Sequence, residues 1–239
     1  MKKKKIIVSI KFNNWAYGPT STERLSESWI KYRISIFMNY TLKSLVNQTN
    51  QDFTTVIQYD EKSEKIITEE LKKYKKLPGN IIFTSSKASK ALIDQLIIGF
   101  NQLYLVRLDS DDMYHKSFID YLHNFIPKEE TMVLINQHGY IYDAVQNEIT
   151  TTFRKSPPFY VLIYKTKDYL EGKRYSNIGG HTAMIKLPHE IFNERNFTIV
   201  VHSKNVLTKF NTRKSENNYD GDNVIVDPKK IDLILKDFM

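Results

Sequence analysis

The sequence predicts an α/β fold built as one large domain, and three observations carry that expectation. Short apolar runs rich in β-formers alternate with stretches whose apolar residues recur at helical spacing. The early runs each end in a polar loop, as strands of a layered α/β sheet do. The 239 residues, 41% of them hydrophobic, suffice to bury one substantial core, and no linker or internal repeat divides them.

Taken in order, Ile6 to Phe12 is expected as the first buried strand. The opening Met1-Lys2-Lys3-Lys4-Lys5 followed by Ile6-Ile7-Val8 imitates a signal peptide, but Lys11 and Asn13 cut its apolar run short. A polar loop from Asn13 to Ser26, containing Gly18-Pro19, occupies the place where such sheets make ligand contacts, and Asn13 is a candidate contact. Trp29, Ile30, Ile34, Phe37, Met38, Leu42, Leu45 and Val46 give an amphipathic helix over Glu27 to Asn47, with Arg33 beside the stripe as a snorkelling or paired residue. Phe53 to Tyr59 forms a second strand ending in Asp60, a carboxylate suited to a nucleobase or ribose and equally suited to capping a helix. A charged helix from Ser63 to Lys76, a strand from Ile81 to Thr84, a small-residue loop carrying Lys87 and Lys90, and a helix from Ala91 to Phe100 follow.

The next strand is the most informative stretch. Leu103-Tyr104-Leu105-Val106-Arg107-Leu108 runs apolar and then meets Asp109-Ser110-Asp111-Asp112. Like charges packed so closely need solvent or a cation, and three oxygen ligands at a strand end suit Mg²⁺ or Mn²⁺ shared with a substrate's phosphates. Asp109, Asp111 and Asp112 are therefore candidate metal ligands, with Arg107 and Lys87 as candidate phosphate contacts. The plainer account makes Asp112 the N-cap of a helix from Tyr114 to Phe125. Beyond Pro127 the pattern turns irregular and strand-rich through Tyr164, so residues 1–126 are expected to hold a nucleotide donor and residues 127–207 an acceptor. The polar stretch Thr208 to Asn223 is expected as a mobile loop or lid, and Ile231 to Phe238 as a closing helix.

The chain carries a formal net charge of +8, which favours an anionic partner. It has no cysteine, excluding thiol catalysis, thiolate metal sites and disulfides. No window holds the roughly 18 apolar residues of a membrane span, so the expected location is cytoplasmic, with any contact to the inner face of an anionic membrane peripheral.

The pattern Trp29-x3-Arg33-x3-Phe37-x2-Tyr40-x3-Ser44-Leu45-x2-Gln48-Thr49-x2-Asp52-Phe53, followed by Arg107-Leu108-Asp109-Ser110-Asp111-Asp112, is similar to the rhamnosyltransferase family of GT-A-type glycosyltransferases. The likeness covers the first half of the chain. It implies a Rossmann-like nucleotide-sugar fold, a divalent metal, and transfer of a sugar from a nucleotide diphosphate to a hydroxyl of a glycan or glycolipid. By the same likeness Asp60 falls where such enzymes hold the base, Asp109, Asp111 and Asp112 where they hold ribose and metal, and His202, within Val200-Val201-His202-Ser203, where a histidine completes the metal shell or faces the diphosphate. The Glu-Asp pair that supplies the base in many inverting relatives is missing, since no Glu-Asp dipeptide occurs. His181, which follows Gly179-Gly180, Glu190 and Asp143 are left as candidate bases, His181 first because two glycines allow an unusual turn. A plain strand over Thr182 to Leu187 is the competing account of that segment.

Three other functions compete. An Asp-x-Asp phosphatase of the haloacid-dehalogenase type wants Thr or Val where Met113 stands. An EF-hand fails on spacing. A basic nucleic-acid-binding protein fits the 35 Lys plus Arg, but the aromatic residues fall in periodic apolar segments and are expected in the core, so no nucleic-acid partner is expected.

Overall fold

The computed structural model describes residues 3–14, 20–175, 180–205 and 208–239. In chain order the elements are β1 (Lys4–Lys11), α1 (Thr20–Glu23), α2 (Glu27–Asn39), α3 (Thr41–Val46), β2 (Thr54–Tyr59), a 3₁₀ turn (Glu61–Ser63), α4 (Glu64–Leu71), β3 (Ile81–Ser85), α5 (Ser86–Leu96), β4 (Gln102–Asp109) and β5 (Met113–Tyr114). Then come α6 (Phe118–Asn124), β6 (Val133–Asp143), β7 (Glu148–Arg154), β8 (Tyr160–Lys165), α7 (Thr166–Leu170), a 3₁₀ segment (Gly180–Lys186), β9 (His189–Val201), β10 (Lys214–Ser215), β11 (Asn218–Asp220) and α8 (Pro228–Leu235).

The first half is a parallel sheet in the order β3-β2-β1-β4. Side chains of β1 alternate across it: Ile6, Val8 and Ile10 pack with Ile30, Ile34 and Phe37 of α2, while Ile7 joins Ile93 and Ile97 on the opposite face. These strands are covered on both faces, which explains their continuous apolar runs. Beyond β4 the sheet changes sense. β8 is antiparallel to β4 and to β6, and β6 is parallel to β9 along its length with a shift between Asn136 and Gly139. At Gly139 an added Cβ would lie 2.5 Å from the ring of Phe197, so only glycine admits that strand crossing.

Several expected boundaries move for identifiable reasons. The single helix over Glu27 to Asn47 breaks at Tyr40, whose amide still closes on Ile36 O while its own ψ of −72° and φ of −122° leave the helical track. The two helices then let Ser44 use its hydroxyl twice, donating to Tyr114 O at 3.0 Å and accepting from Tyr114 N at 2.9 Å. That pair of bonds draws Tyr114 into β5 opposite Phe197, so the helix expected from Tyr114 begins only at Phe118. Lys87 and Lys90 lie in α5 rather than in a loop, because Ser85 caps the helix by accepting from Ala88 N. Thr182 to Leu187 is not a strand: the segment through Lys186 is 3₁₀.

The mobile lid expected over Thr208 to Asn223 is an ordered sheet edge. β11 pairs with β7 and β10 with β11. A buried ion pair pins it: Arg154 Nη2 donates to Asp220 Oδ1 at 2.6 Å, and the same oxygen accepts from Thr152 Oγ1 at 2.7 Å. The closing helix is found, with Ile231, Leu235 and Phe238 packed beside Met113, Tyr142 and Val200. Among the described residues, no helix is long and apolar enough to cross a membrane.

Candidate active site

Three parallel strands end at one level, Lys11 of β1 lying opposite Gln58 of β2 and Asp109 of β4. Loops leaving such ends are where open α/β sheets bind ligands. The acidic turn from Asp109 to Asp112 closes on itself through Asp112 N to Asp109 O at 3.3 Å, and its three carboxylates have three different environments. Asp109, the most open, is paired with Arg107 Nη2 at 3.2 Å, and Arg107 lies 5.8 Å from the ring centroid of Tyr160. Asp111 Oδ2 accepts from Arg33 Nη1 at 2.8 Å and lies 3.2 Å from His202 Nε2. Burial pushes the Asp111 carboxyl up, but Arg33 and His202 outweigh it and hold the group well below the usual carboxylate range. Asp112 turns the other way: Oδ1 accepts Val200 N at 3.0 Å, and burial, then Asp111 and Asp109, push its carboxyl well above the ordinary value.

The expected metal shell of Asp109, Asp111, Asp112 and His202 is thus only partly assembled. Asp112 faces the β9 backbone, a correction to the sequence reading, and is fixed there by the amide it satisfies. Among the described residues no group of three or more His, Cys, Asp or Glu side chains is arranged to hold a metal. Two atoms do converge, Asp111 Oδ2 and His202 Nε2, and Arg33 Nη1 contacts both, at 2.8 and 3.0 Å. Lys204 N donates to His202 Nδ1 at 3.3 Å, so the neutral ring carries its proton on Nε2, toward Asp111 Oδ2, and the oxygens of Asp111 and Asp109 are what this centre offers a divalent ion.

Helix α2 supplies the rest of this centre. Arg33 Nη2 donates to Ser110 Oγ at 2.6 Å, its guanidinium lies 5.6 Å from the Trp29 ring centroid, and Tyr32 Oη bridges His202 Nδ1 at 3.1 Å and Ser203 Oγ at 3.0 Å. The amide of His202 is held by Asn205 Oδ1. Arg33 is the residue whose importance the sequence understated. Helical spacing places it beside the stripe, and only the family-like Trp29-x3-Arg33-x3-Phe37 pattern marked it. Tyr32 and Ser203 were missed, since an exposed-face tyrosine and a loop serine carry no pattern.

At the β2 end, Asp60 takes the capping role anticipated for it and pairs with an arginine. Oδ1 caps the 3₁₀ turn by accepting Lys62 N at 3.0 Å, and Oδ2 pairs with Arg24 Nη1 at 3.0 Å. That amide, then Arg24, lowers the carboxyl's pKa against the upward pull of burial. Asn13 is buried beneath it, accepting Asp60 N at 2.9 Å and donating to Ser63 Oγ at 2.9 Å, so it shapes the loop rather than facing a ligand. Arg24 was not anticipated. Lys87 has its amide on Glu61 Oε1 at 2.8 Å, and Lys90 pairs with Asp94.

Of the three candidate bases, His181 lies nearest this chemistry. Its proton affinity is lowered by burial first, then by Arg107, with Asp109 opposing and Arg213 adding to the fall. The segment is anchored by Ser156 Oγ donating to His181 O at 2.7 Å. Gly179 lies outside the described residues. Glu190 does not join the site: near the opposite end of β9 from His202, its Oε1 accepts from Lys128 N and Thr131 Oγ1 at 2.9 and 2.6 Å. Asp143 stands beside Val201, but its Oδ1 is spent capping the β6–β7 turn through Val145 N and Gln146 N.

The mixed sheet, with Asp60 and the Asp109–Asp112 turn at its parallel strand ends, has a GT-A-like fold. Solved structures similar to it include residues 1–349 of S. aureus TarS in complex with UDP-GlcNAc, 13% identical with a TM-score of 0.50, covering 84% of this chain and 60% of that one. The same TarS fragment with UDP gives 14% identity and a TM-score of 0.47, over 82% and 60%. A Desulfovibrio desulfuricans G20 protein described as a putative nucleotide-diphospho-sugar transferase gives 12% and 0.36, over 84% and 81%. This chain thus spans about 60% of the length of the TarS fragment it matches. No curated protein matches it. Residues 18–160, more than half of the chain, match the family described as "Putative rhamnosyl transferase", and the chain belongs to that family of glycosyltransferases.

Proposed function

We propose that the protein transfers a sugar, rhamnose by the family's description, from a nucleotide diphosphate to a hydroxyl of a glycan or glycolipid in the cell envelope. The observation that carries this reading is the Asp109–Asp112 turn at the end of β4, level with the end of β2 and met there by Arg33 and His202. Asp60 accepts hydrogen bonds from the donor's base and Asp109 from its ribose. Asp109 and Asp111 would hold a divalent ion, with His202 beside them completing its shell or facing the diphosphate. When bound, Mg²⁺ or Mn²⁺ offsets the charge that develops on the departing diphosphate. Arg107, tied to Asp109, keeps a cation beside the same oxygens.

His181 takes the proton from the acceptor hydroxyl. Its lowered pKa keeps the imidazole neutral at physiological pH, which a general base requires. Exposed lysines of the carboxyl-terminal part, among them Lys209, Lys229 and Lys230, suit peripheral contact with an anionic membrane where a glycolipid acceptor resides.

A screen of nucleotide sugars tests the proposal. UDP, GDP and dTDP sugars are incubated with Mn²⁺ and protein, and slow release of free sugar is followed alongside thermal stabilisation by each nucleotide. One donor is expected to be hydrolysed and its nucleotide to stabilise the fold. Stabilisation by single-stranded DNA or RNA with no response to any nucleotide would return the protein to the nucleic-acid class.

A further inference from the structure

Five neighbouring strands place one side chain each in a single row across the sheet: Lys214 of β10, Tyr219 of β11, Phe153 of β7, His138 of β6 and Arg195 of β9, each directly opposite the next. Residues paired in this way share a face, and none of the five is buried. The rings touch: Tyr219 stacks on Phe153 with centroids 5.1 Å apart, and Phe153 tilts against His138, also at 5.1 Å. Burial, then Arg195, lowers the pKa of His138, so its ring is uncharged at neutral pH and belongs with the aromatics. Farther along the same strands this face is covered, where Tyr140, Tyr142 and Ile149 meet α8, and the row lies where that cover ends. Rings therefore form its middle and a cation stands at each end, about 19 Å apart at the usual strand spacing. Arg195 enters no ion pair among the described residues, and Lys214 pairs with Asp222 in the open, where such a pair is worth little. At the Lys214 end the row runs into a cavity of about 270 Å³ lined by Thr212, Arg213, Lys214, Ser215 and Asn218. Arg213 is close enough to His181 for its charge to help lower that histidine's pKa.

We propose that this row binds an extended anionic glycan, the acceptor chain, whose reacting end passes over the β10–β11 edge toward His181. The inference rests on the glycosyl-transfer reading of the protein and names the acceptor's class. Cations at both ends call for negative charge on the ligand, and the guanidinium of Arg195 is suited to fork onto a carboxylate or phosphate. Phe153 has Tyr219 against one side and His138 against the other, which leaves its edge to solvent. Ring edges carry the positive part of the aromatic quadrupole, so they meet hydroxyl and anionic oxygens favourably while still offering apolar contact to sugar C–H groups. A single-stranded nucleic acid would instead need open ring faces for its bases. One side chain per strand also makes a strip too narrow for a folded partner, whose interface covers roughly 800 Å² on each side. A chain molecule fits it.

The test is calorimetric titration with an oligogalacturonate, a glycerol-phosphate oligomer, maltohexaose as a neutral glycan, and a short thymidine oligonucleotide. At least one anionic glycan is expected to bind more tightly than maltohexaose, with an affinity that falls as salt rises. The double variant Tyr219→Ala with Arg195→Ala is expected to bind it about tenfold or more weakly, the loss that follows removal of a charged contact and a ring. Both side chains are exposed, and circular dichroism checks the variant's fold. Should the double variant not fold, Arg195→Glu alone carries the comparison, since a reversed charge at the end of the row repels an anion laid along it. Failure of both anionic glycans to bind, equal binding by the folded variant, or equal affinity for maltohexaose overturns the proposal. So does a thymidine oligonucleotide that displaces the glycans. Thermal stabilisation by UDP, GDP and dTDP with Mn²⁺ is measured in parallel. Protein stabilised by a nucleotide but indifferent to both anionic glycans loses this inference and keeps the donor reading, whereas row-dependent glycan binding without a response to any nucleotide does the reverse.

Discussion

Arg154→Leu tests whether the segment around residues 214–220 is architecture or a moving cover. Asp220 is fully buried as a side chain and Arg154 nearly so, at 0% and 9% exposure, so the substitution strands a carboxylate in the sheet. Removing one partner of a buried pair costs roughly 3–5 kcal/mol, mostly for the charge left behind. For a chain of this size each kcal/mol is worth about 2–4 °C, giving an expected fall in melting temperature of roughly 6–20 °C. Thr152 Oγ1 and Arg213 N remain as donors to Asp220, which places the result toward the lower end. The assay is thermal denaturation with amide hydrogen exchange over 214–220, where exchange should accelerate. A double variant, Arg154→Leu with Asp220→Leu, should recover much of the loss because no charge is left uncompensated. An unchanged melting temperature together with weakened donor binding would refute the reasoning and restore the lid.

Three further outcomes are expected. Asp112→Asn keeps an oxygen for Val200 N and removes a carboxyl whose pKa is raised by burial and then by Asp111 and Asp109. The folded state holds that proton more tightly than the unfolded chain, so the penalty is absent below the unfolded value of about 4 and grows as pH rises through the folded one; the variant should melt higher than the parent at about pH 8 and converge with it in acid, and a lower melting temperature at neutral pH would show that the charge is needed. Asp60→Asn preserves the cap on Lys62 N but weakens the Arg24 pair; nucleotide affinity by calorimetry should fall by about 1–3 kcal/mol with little change in melting temperature, and undiminished affinity would remove Asp60 from the donor site. His181→Ala should leave nucleotide binding near normal and lower transfer by roughly 10²–10⁴, with wild-type turnover handing the base role to another group; because its pKa is lowered, activity of the parent should persist to more acid pH than an unperturbed histidine allows.

What could be read in advance divides along physical lines. β1, β2 and β4 were legible because strands buried on both faces must be apolar throughout, and the abrupt acids after Leu108 marked the end of one of them. Ser44 shows the opposite case. Nothing in its neighbourhood announces that its hydroxyl would replace a strand partner for Tyr114 and so delay α6. The β10–β11 edge escaped because strands of two and three residues have no period to detect, and its anchoring charges, Arg154 and Asp220, are 66 residues apart. Arg33 escaped for a related reason: spacing reports which face of a helix a residue is on, and not that His202 and Asp111 wait there. Glu190 and Asp143 looked free as letters, but Glu190 accepts from Lys128 N, 62 residues away and near only in the folded chain, and Asp143 accepts from the amides of its own turn, Val145 and Gln146.

The bond from Val200 N to Asp112 Oδ1 gives the molecule a mechanical property. It fastens the acidic turn to the end of β9, two residues before His202, across 88 positions of sequence. Donor-side and carboxyl-terminal parts of the centre are therefore riveted into one rigid leaf, and neither Asp111 nor His202 can drift without dragging the other's backbone. Grafting the acidic turn onto another scaffold without the Val200–Asn205 segment would transplant the letters and leave behind the frame that aims them.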